Sequence, residues 1–274
     1  MKKTCKFCGK TIPTEGKNSW KKIFCNVPCQ QGYWGKVRNK TGKKTKSSRD
    51  LAKKNKHIPL TDKQMQVCLG GMMGDSSISQ RYNGNCRLKM CHGEQQCQYL
   101  EWKKDILSTF IIQYKPNKCE GKLTSINDGK EFKSLPAYHY TSIQHQAFTD
   151  MFGLFYITDK GKKRKRVTMN ILNQLQPLAI LIWFLDDGCY KYQKAKSCHQ
   201  MYISTHRYSL GEHRTMKRWF WHKWRIEVII TPTARNKYFI LRMNKDSQVK
   251  FSELFLEPFK DSIPTCMHYK FPNF

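Results

Sequence analysis

Two acidic stops and two cysteine pairs are the residues of this chain whose type and spacing could do chemistry. Gly74-Asp75-Ser76 and Asp186-Asp187-Gly188 each close an apolar run, about one domain length apart. The first run is predicted to be helical, because Thr61-Asp-Lys-Gln64 has the form of a capping box and Met65, Leu69, Met72 and Met73 follow it. Asp75 is thereby left at a helix C-terminus, where the negative end of the macrodipole disfavours a carboxylate unless a cation is supplied. Alone, either stop is more often a turn. As a pair, the two carboxylates could hold divalent metal ions against phosphodiesters, whose hydrolysis needs a positioned water and neutralisation of developing charge.

The cysteines suggest a second metal. Cys5 and Cys8 stand two residues apart, Cys25 and Cys29 three apart, a spacing that suits two loops closing on one tetrahedral zinc through four thiolates. Gly9 supplies a tight bend after the first pair, and Phe7, Trp20, Phe24 and Tyr33 offer a mini-core too small to fold without the ion. The remaining thiols of the 12 are scattered and read as buried side chains.

Charge narrows the partner. Fifty Lys and Arg against 20 Asp and Glu leave a formal net charge of +30, which points to a polyanion, nucleic acid first. A membrane surface is the weaker reading, since the basic residues are spread along the chain instead of lining one amphipathic helix. The longest apolar stretch, Leu178 to Leu185, is far short of the roughly 20 residues that span a bilayer. The basic opening lacks the apolar run of a secretory signal, so the expected location is intracellular.

The elements that must position the acids recur in order. After the first helix, strands at Ser77 to Arg81 and Cys86 to Cys91 flank an Asn-Gly turn, then come a helix from Gln95 to Phe110, a hairpin turning at Asn127-Asp-Gly129, and a helix from His145 to Leu154. A second helix, about Gln176 to Leu185, opens the other copy. Strands follow, then a helix from Ser209 to Trp224, strands at Ile226 to Ile230 and Tyr238 to Met243, and a helix from Ser247 to Phe259. The expected class is α+β, a pseudo-symmetric pair of αββαββα halves whose sheets form a DNA-binding saddle, plus the small zinc module. The expected segments are the cysteine module (1–34), a basic linker (35–58), the first half (59–159), a basic inter-half linker (160–168) and the second half (169–274). On the second strand Leu88 and Met90 face one way, Arg87 and Lys89 the other. By strand position Arg81, Arg87, Lys89, Lys191 and Lys237 are candidates for groove contact. In the run from Lys160 to Arg166, Lys162, Lys163 and Arg164 are candidates for a phosphate clamp. Trp219, Phe220, Trp221 and Trp224 read as helix core, not as stacking platforms.

The segments LGGMMGD (69–75) and LAILIWFLDDG (178–188), with HQAF at 145–148, Pro177 before the second helix and the tail MHYKFP at 267–272, resemble the two-motif, monomeric branch of the LAGLIDADG homing endonucleases. That resemblance implies two central helices packed together, catalytic and metal-binding carboxylates at Asp75 and Asp187, Mg²⁺ (or Mn²⁺) as cofactor, and a long double-stranded DNA site as partner. It also implies a helper lysine per active site. Lys270 before Phe271-Pro272 matches well, whereas Lys165-Arg166-Val167-Thr168 has Thr168 where the family carries proline, so Arg164 or Arg166 competes for the role. Gly70 and Gly74 sit on the first helix where Ile182 and Asp186 sit on the second, which predicts an asymmetric crossing. The rival functions are an RNA-binding intron maturase on the same fold and a transcription regulator that has lost metal chemistry.

Overall fold

The structure, a computed structural model, describes residues 4–6, 8–12, 25, 29, 46–80, 84–119, 136–159, 161–193, 198–233 and 238–271. The expected hairpin at Asn127-Asp-Gly129, together with Arg81, Lys160, Lys237 and Pro272, lies outside them. The chain divides into two compact units, residues 1–53 and 54–274. No described helix is long and apolar enough to cross a membrane.

The large unit contains the expected repeat. Helix α2 (Asp62–Met73) leads to strands β1 (Ser77–Gln80) and β2 (Cys86–Gly93), helix α3 (Cys97–Ile106), strands β3 (Asn117–Cys119) and β4 (Ala137–Thr141), and helix α4 (Gln146–Phe155). Helix α6 (Pro177–Asp187) opens the second copy. It continues through β7 (Gly188–Gln193), β8 (Cys198–Ile203), α7 (Leu210–Trp224), β9 (Val228–Thr233), β10 (Tyr238–Met243) and α8 (Lys245–Phe251). Each copy is αββαββα, and the two antiparallel sheets have equivalent orders, β1-β2-β4-β3 and β7-β8-β10-β9.

Local chemistry sets the ends of these elements. Thr61 Oγ1 accepts from the Gln64 backbone N–H while Thr61 N–H donates to Gln64 Oε1, closing the expected capping box of α2. Ser209 and Glu212 do the same for α7. His145 caps α4, its ring nitrogen accepting from Ala147 N–H. The final helix is shorter than expected: α8 stops at Phe251 and passes into a π turn (Ser252–Leu256), then two 3₁₀ stretches that end at Lys270.

Parts of the two expected linkers are structured, while residues 35–45 of the first lie outside the described residues. Residues 46–55 form helix α1 (Lys46–Asn55), and Lys162–Lys165 form strand β6, paired antiparallel with β5 (Tyr156–Asp159). In β6 the backbone is satisfied by a neighbouring strand that an open, solvated linker would not offer. Thr168, the residue that departs from the family's proline, caps the short helix α5 (Met169–Asn173) by accepting from Ile171 N–H.

Helices α2 and α6 pack against each other at the core of the large unit, and nearly all of α6 is buried. The crossing is asymmetric, as expected. A Cβ on Gly70 would fall on the Ala179 carbonyl and Ile182, and one on Gly74 would fall on the Asp186 side chain. Gly70→Ala should therefore push the helices apart and cost about 2–3 kcal/mol, whereas Gly153→Ala, with open space around it on α4, should be neutral or slightly stabilising. Thermal melts of the two variants check this; equal melting temperatures would refute the close approach.

Candidate active site at the paired helix ends

Because α2 and α6 cross side by side, their C-termini meet. Asp75 follows α2 directly, with its side chain 39% exposed, and Asp187 is the last residue of α6. Asp75 N–H donates to Asp186 Oδ2 at 3.1 Å, so the two ends are joined by a hydrogen bond across the repeat axis. Gly74 allows this, since any Cβ there would displace the Asp186 carboxylate.

The carbonyls left over at the helix ends are claimed by cations. Lys165 Nζ donates to Met72 O at 2.8 Å, Gly74 O at 3.0 Å and Ser76 O; Arg207 also reaches Gly74 O, and Tyr208 OH donates to Met73 O. Lys270 Nζ donates to Leu185 O and Asp186 O. Each helix C-terminus thus carries a buried or half-buried lysine that satisfies free carbonyls and offsets the negative end of the dipole. The cation that the sequence demands at each acidic stop is partly protein-borne. Lys165 takes this place, while Arg166 turns to Leu154 O and Gly153 O, and Arg164 to Glu212 and Asp159.

The acids carry the electrostatic cost. Burial first, then the charge of Asp186, pushes Asp75 up to about 6. Burial and the charge of Asp75 push Asp187 up to about 7. Burial likewise lowers Lys165 to about 7, with Arg207 adding to the shift, and burial lowers Lys270. Asp187 Oδ2 is buried and, among the described residues, has no hydrogen-bond partner. Carboxylates with raised affinity for protons, one of them with an orphaned oxygen, have the chemistry of hard-cation ligands, and Asp75, His92 and Asp186 place potential ligand atoms within 4.8 Å of one another.

Asp186 is a different kind of acid. It is fully buried, accepting at Oδ1 from Tyr99 OH (2.9 Å) and Lys103 Nζ (3.0 Å). Burial alone would raise its pKa, but the charge and hydrogen bond of Lys103, the nearby His92 and the backbone N–H of Asp75 hold it below the usual range. His92 stands 3.7 Å from both Asp75 and Asp186, and burial followed by the Lys103 charge lowers it to about 3, so the ring is neutral. Sequence reasoning passed over His92, Tyr99, Lys103 and Arg207. A usable signal existed for two of them: His92 continues the buried face of Leu88 and Met90, and Lys103 lies one turn after Tyr99.

Of the other predicted residues, Arg87 and Lys89 lie on the half-exposed face of β2. Lys191, exposed, stands over the Tyr202 ring on the open face of the second sheet. Lys162 is exposed, and Lys163 donates to Gln80 Oε1. Arg164, half-buried, pairs with Glu212 at 3.2 Å and Asp159 at 3.3 Å.

In the N-terminal unit the four predicted sulfurs converge. Cys8 and Cys25 Sγ are 3.5 Å apart, Cys25 and Cys29 Sγ 3.4 Å, and all four Sγ atoms, Cys5 included, lie within 4.8 Å of one another. Gly9 takes φ +75° and donates to Cys5 O, giving the bend expected after the first pair. The crowding, chiefly the hydrogen bond with Cys25, pushes the Cys29 thiol up to about 12.

Comparison with known proteins agrees with this geometry. The profile of the LAGLIDADG DNA endonuclease family matches residues 65–251, from the first motif helix to the end of α8. The chain belongs to that family. Among solved structures it is similar to the homing endonuclease I-WcaI bound to its DNA recognition sequence, with a TM-score of 0.66 at 18% identity over 84% of this chain and 93% of that one. RecA of Mycolicibacterium chitae is 30% identical over 131 residues, which are 47% of this chain and 26% of that protein. The chain thus spans about a quarter of such relatives. The cytochrome b mRNA maturase bI2 of Debaryomyces hansenii is 24% identical over 228 residues, 80% of this chain and 78% of the relative. The LAGLIDADG fold therefore accounts for the twin sheets and the joined helix ends.

Proposed function

We propose that this LAGLIDADG chain is a monomeric, site-specific DNA endonuclease that cuts both strands of a long recognition site, with Mg²⁺ or Mn²⁺ held by Asp75 and Asp187, and that it promotes the mobility of an intron or similar element. The observation that carries the reading is the junction of the two acidic helix ends, with Asp187 Oδ2 buried and, among the described residues, unpartnered. Bound metal would neutralise charge on the scissile phosphates and activate water. The chain's own residues set the stage for it. Asp75 and Asp187 bind the ions, one per repeat. Lys165 and Lys270 hold the helix ends that carry the acids; burial lowers both ammonium groups, Lys165 to about 7, so Lys165 can take up or release a proton at Nζ near neutral pH. Arg87, Lys89 and Lys191, and Arg81 and Lys237 among the residues not described, supply groove contacts, with Lys162 and Lys163 on the phosphates.

The direct test is incubation with Mg²⁺ and a plasmid carrying the uninterrupted insertion site of the element that encodes the chain. A staggered double-strand cut is expected; intact plasmid in both Mg²⁺ and Mn²⁺ would overturn the proposal. Duplex affinity should also fall steeply as salt rises.

A second reading is favoured by the maturase relatives, which match about 80% of the chain. Assisted intron splicing that survives Asp75→Asn would assign that activity, since RNA binding has no need of the two metal ligands.

The cysteine cluster is proposed as a zinc site, in which thiolate ligation would replace the protons that crowded thiols otherwise retain. Cys5→Ser is expected to lose one zinc per chain by elemental analysis. Unchanged zinc content would reject the four-sulfur site.

A further inference from the structure

The exposed side of α7 is the feature that duplex binding by the sheets does not use. Helix α7 seats His213, Met216, Trp219 and Phe220 against the second sheet and the neighbouring α5. The ring of His213 lies 5.6 Å from that of Phe239, on the same sheet face as buried Leu241 and Met243. Lys191, Tyr202 and Arg242 lie on the opposite, open face by strand register. Arg214, Lys217, Arg218 and Arg225 therefore project from the far side of the helix, away from the sheet surface that the proposed function assigns to duplex DNA.

Three features separate this stripe from ordinary solvated charge. No acidic residue lies among its exposed positions, and among the described residues none of its four cations is ion-paired. Its symmetry counterpart in the first half, α3, presents exposed Gln98 and Asp105, with Lys104 paired to Asp105, instead, so the fold does not require a basic outer helix. Finally, Trp221 sits in the middle of the stripe with 49% of its surface exposed and the Arg225 guanidinium 5.8 Å from its ring. An indole left in water beside four cations matches the combination that unpaired nucleic acid takes, base stacking plus phosphate neutralisation. Paired bases in a duplex have no free face to stack.

We infer that the outer face of α7 is a second nucleic-acid surface, built for single-stranded RNA and separate from the duplex-binding sheets. RNA is the nucleic acid that presents unpaired bases while duplex DNA fills the other surface. The inference does not depend on cleavage and stands whether or not the acids bind metal.

The test uses the full chain in EDTA, with fluorescence anisotropy of a short U-rich RNA, the matching dT strand and a DNA duplex of equal length. Trp221→Ala and the pair Arg214→Glu/Arg218→Glu are each expected to weaken RNA binding by about tenfold and to change duplex binding by less than about twofold. RNA prebound to wild type should survive saturation with duplex. Equal losses on RNA and duplex, or no loss on RNA, would overturn the inference. Equal affinity for the dT strand would overturn the assignment to RNA. Binding of phosphatidylserine vesicles that these substitutions abolish, with RNA unaffected, would assign the face to membranes instead. Because all three substituted positions are exposed, matching circular dichroism melts should show the variants folded.

Discussion

Asp187→Asn is expected to lower double-strand cleavage on the order of 10³-fold, to leave duplex affinity within about twofold, and to raise the melting temperature of the metal-free protein. The last effect separates an active-site acid from a structural one. Asp187 has its pKa raised from 3.8 to about 7 by burial and by Asp75. Between those values the native state binds more protons than the unfolded chain, so its contribution to stability falls as pH rises through that window and stays low above it. The asparagine variant has no such charge to bury. Its advantage should be absent near pH 4 and full above pH 7, amounting to about 1–3 kcal/mol once solvent screening is allowed for. Asp75→Asn should follow the same course with a smaller gain, because that carboxylate is 39% exposed. Millimolar Mg²⁺ should reverse the ranking by stabilising only the wild type. Melts at pH 5 and pH 8, with EDTA or Mg²⁺, decide the matter; a wild-type protein that Mg²⁺ fails to stabilise would remove the metal from Asp187.

The same acids show what a sequence discloses and what it withholds. The repeat was legible because each half obeys local rules: capping at Thr61 and Ser209, alternation along β2, and a hydrophobic run ahead of each acid. Asp75, Asp187 and the two lysines followed from motif position. The inner network was not legible, because its members are far apart in the chain and each breaks a local expectation. Lys103 is a lysine on the buried side of a helix, and His92 a histidine on an apolar strand face. Such residues become intelligible only when tertiary structure brings Asp186 between them. Trp221 shows the converse. A cluster of four aromatics in one helix suggests core, but helical geometry turns the third outward, so the cluster divides between interior and surface. Likewise, the basic run after Lys160 looked like open linker, since composition does not report that β5 lies alongside to pair with it.

The buried network leads to the second large effect. Lys103→Met is expected to destabilise the protein by about 3–5 kcal/mol and to convert double-strand cutting into nicking. Both partners of the Lys103–Asp186 pair are fully buried at 3.0 Å, and the ammonium also rests 4.4 Å from the centre of the Tyr99 ring. Without it Asp186 must either remain a lone charge in the interior or take up a proton. A proton on Oδ2 would turn the acceptor for Asp75 N–H into a donor and release the loop that carries the first acid. Asp187 and Lys270 belong to the other helix end and do not use that hydrogen bond. One active site should therefore fail before the other, leaving open-circular plasmid as the main product in Mg²⁺. Asp186→Asn added to Lys103→Met removes the uncompensated charge while keeping an oxygen to accept from Asp75, so the double variant should regain more than half of the lost stability and part of the second cut. Because the single variant is strongly destabilised, cleavage is best read well below its melting temperature. Should Lys103→Met melt with wild type, or lose both cuts in parallel while still folded, Asp186 would not be the link that seats Asp75.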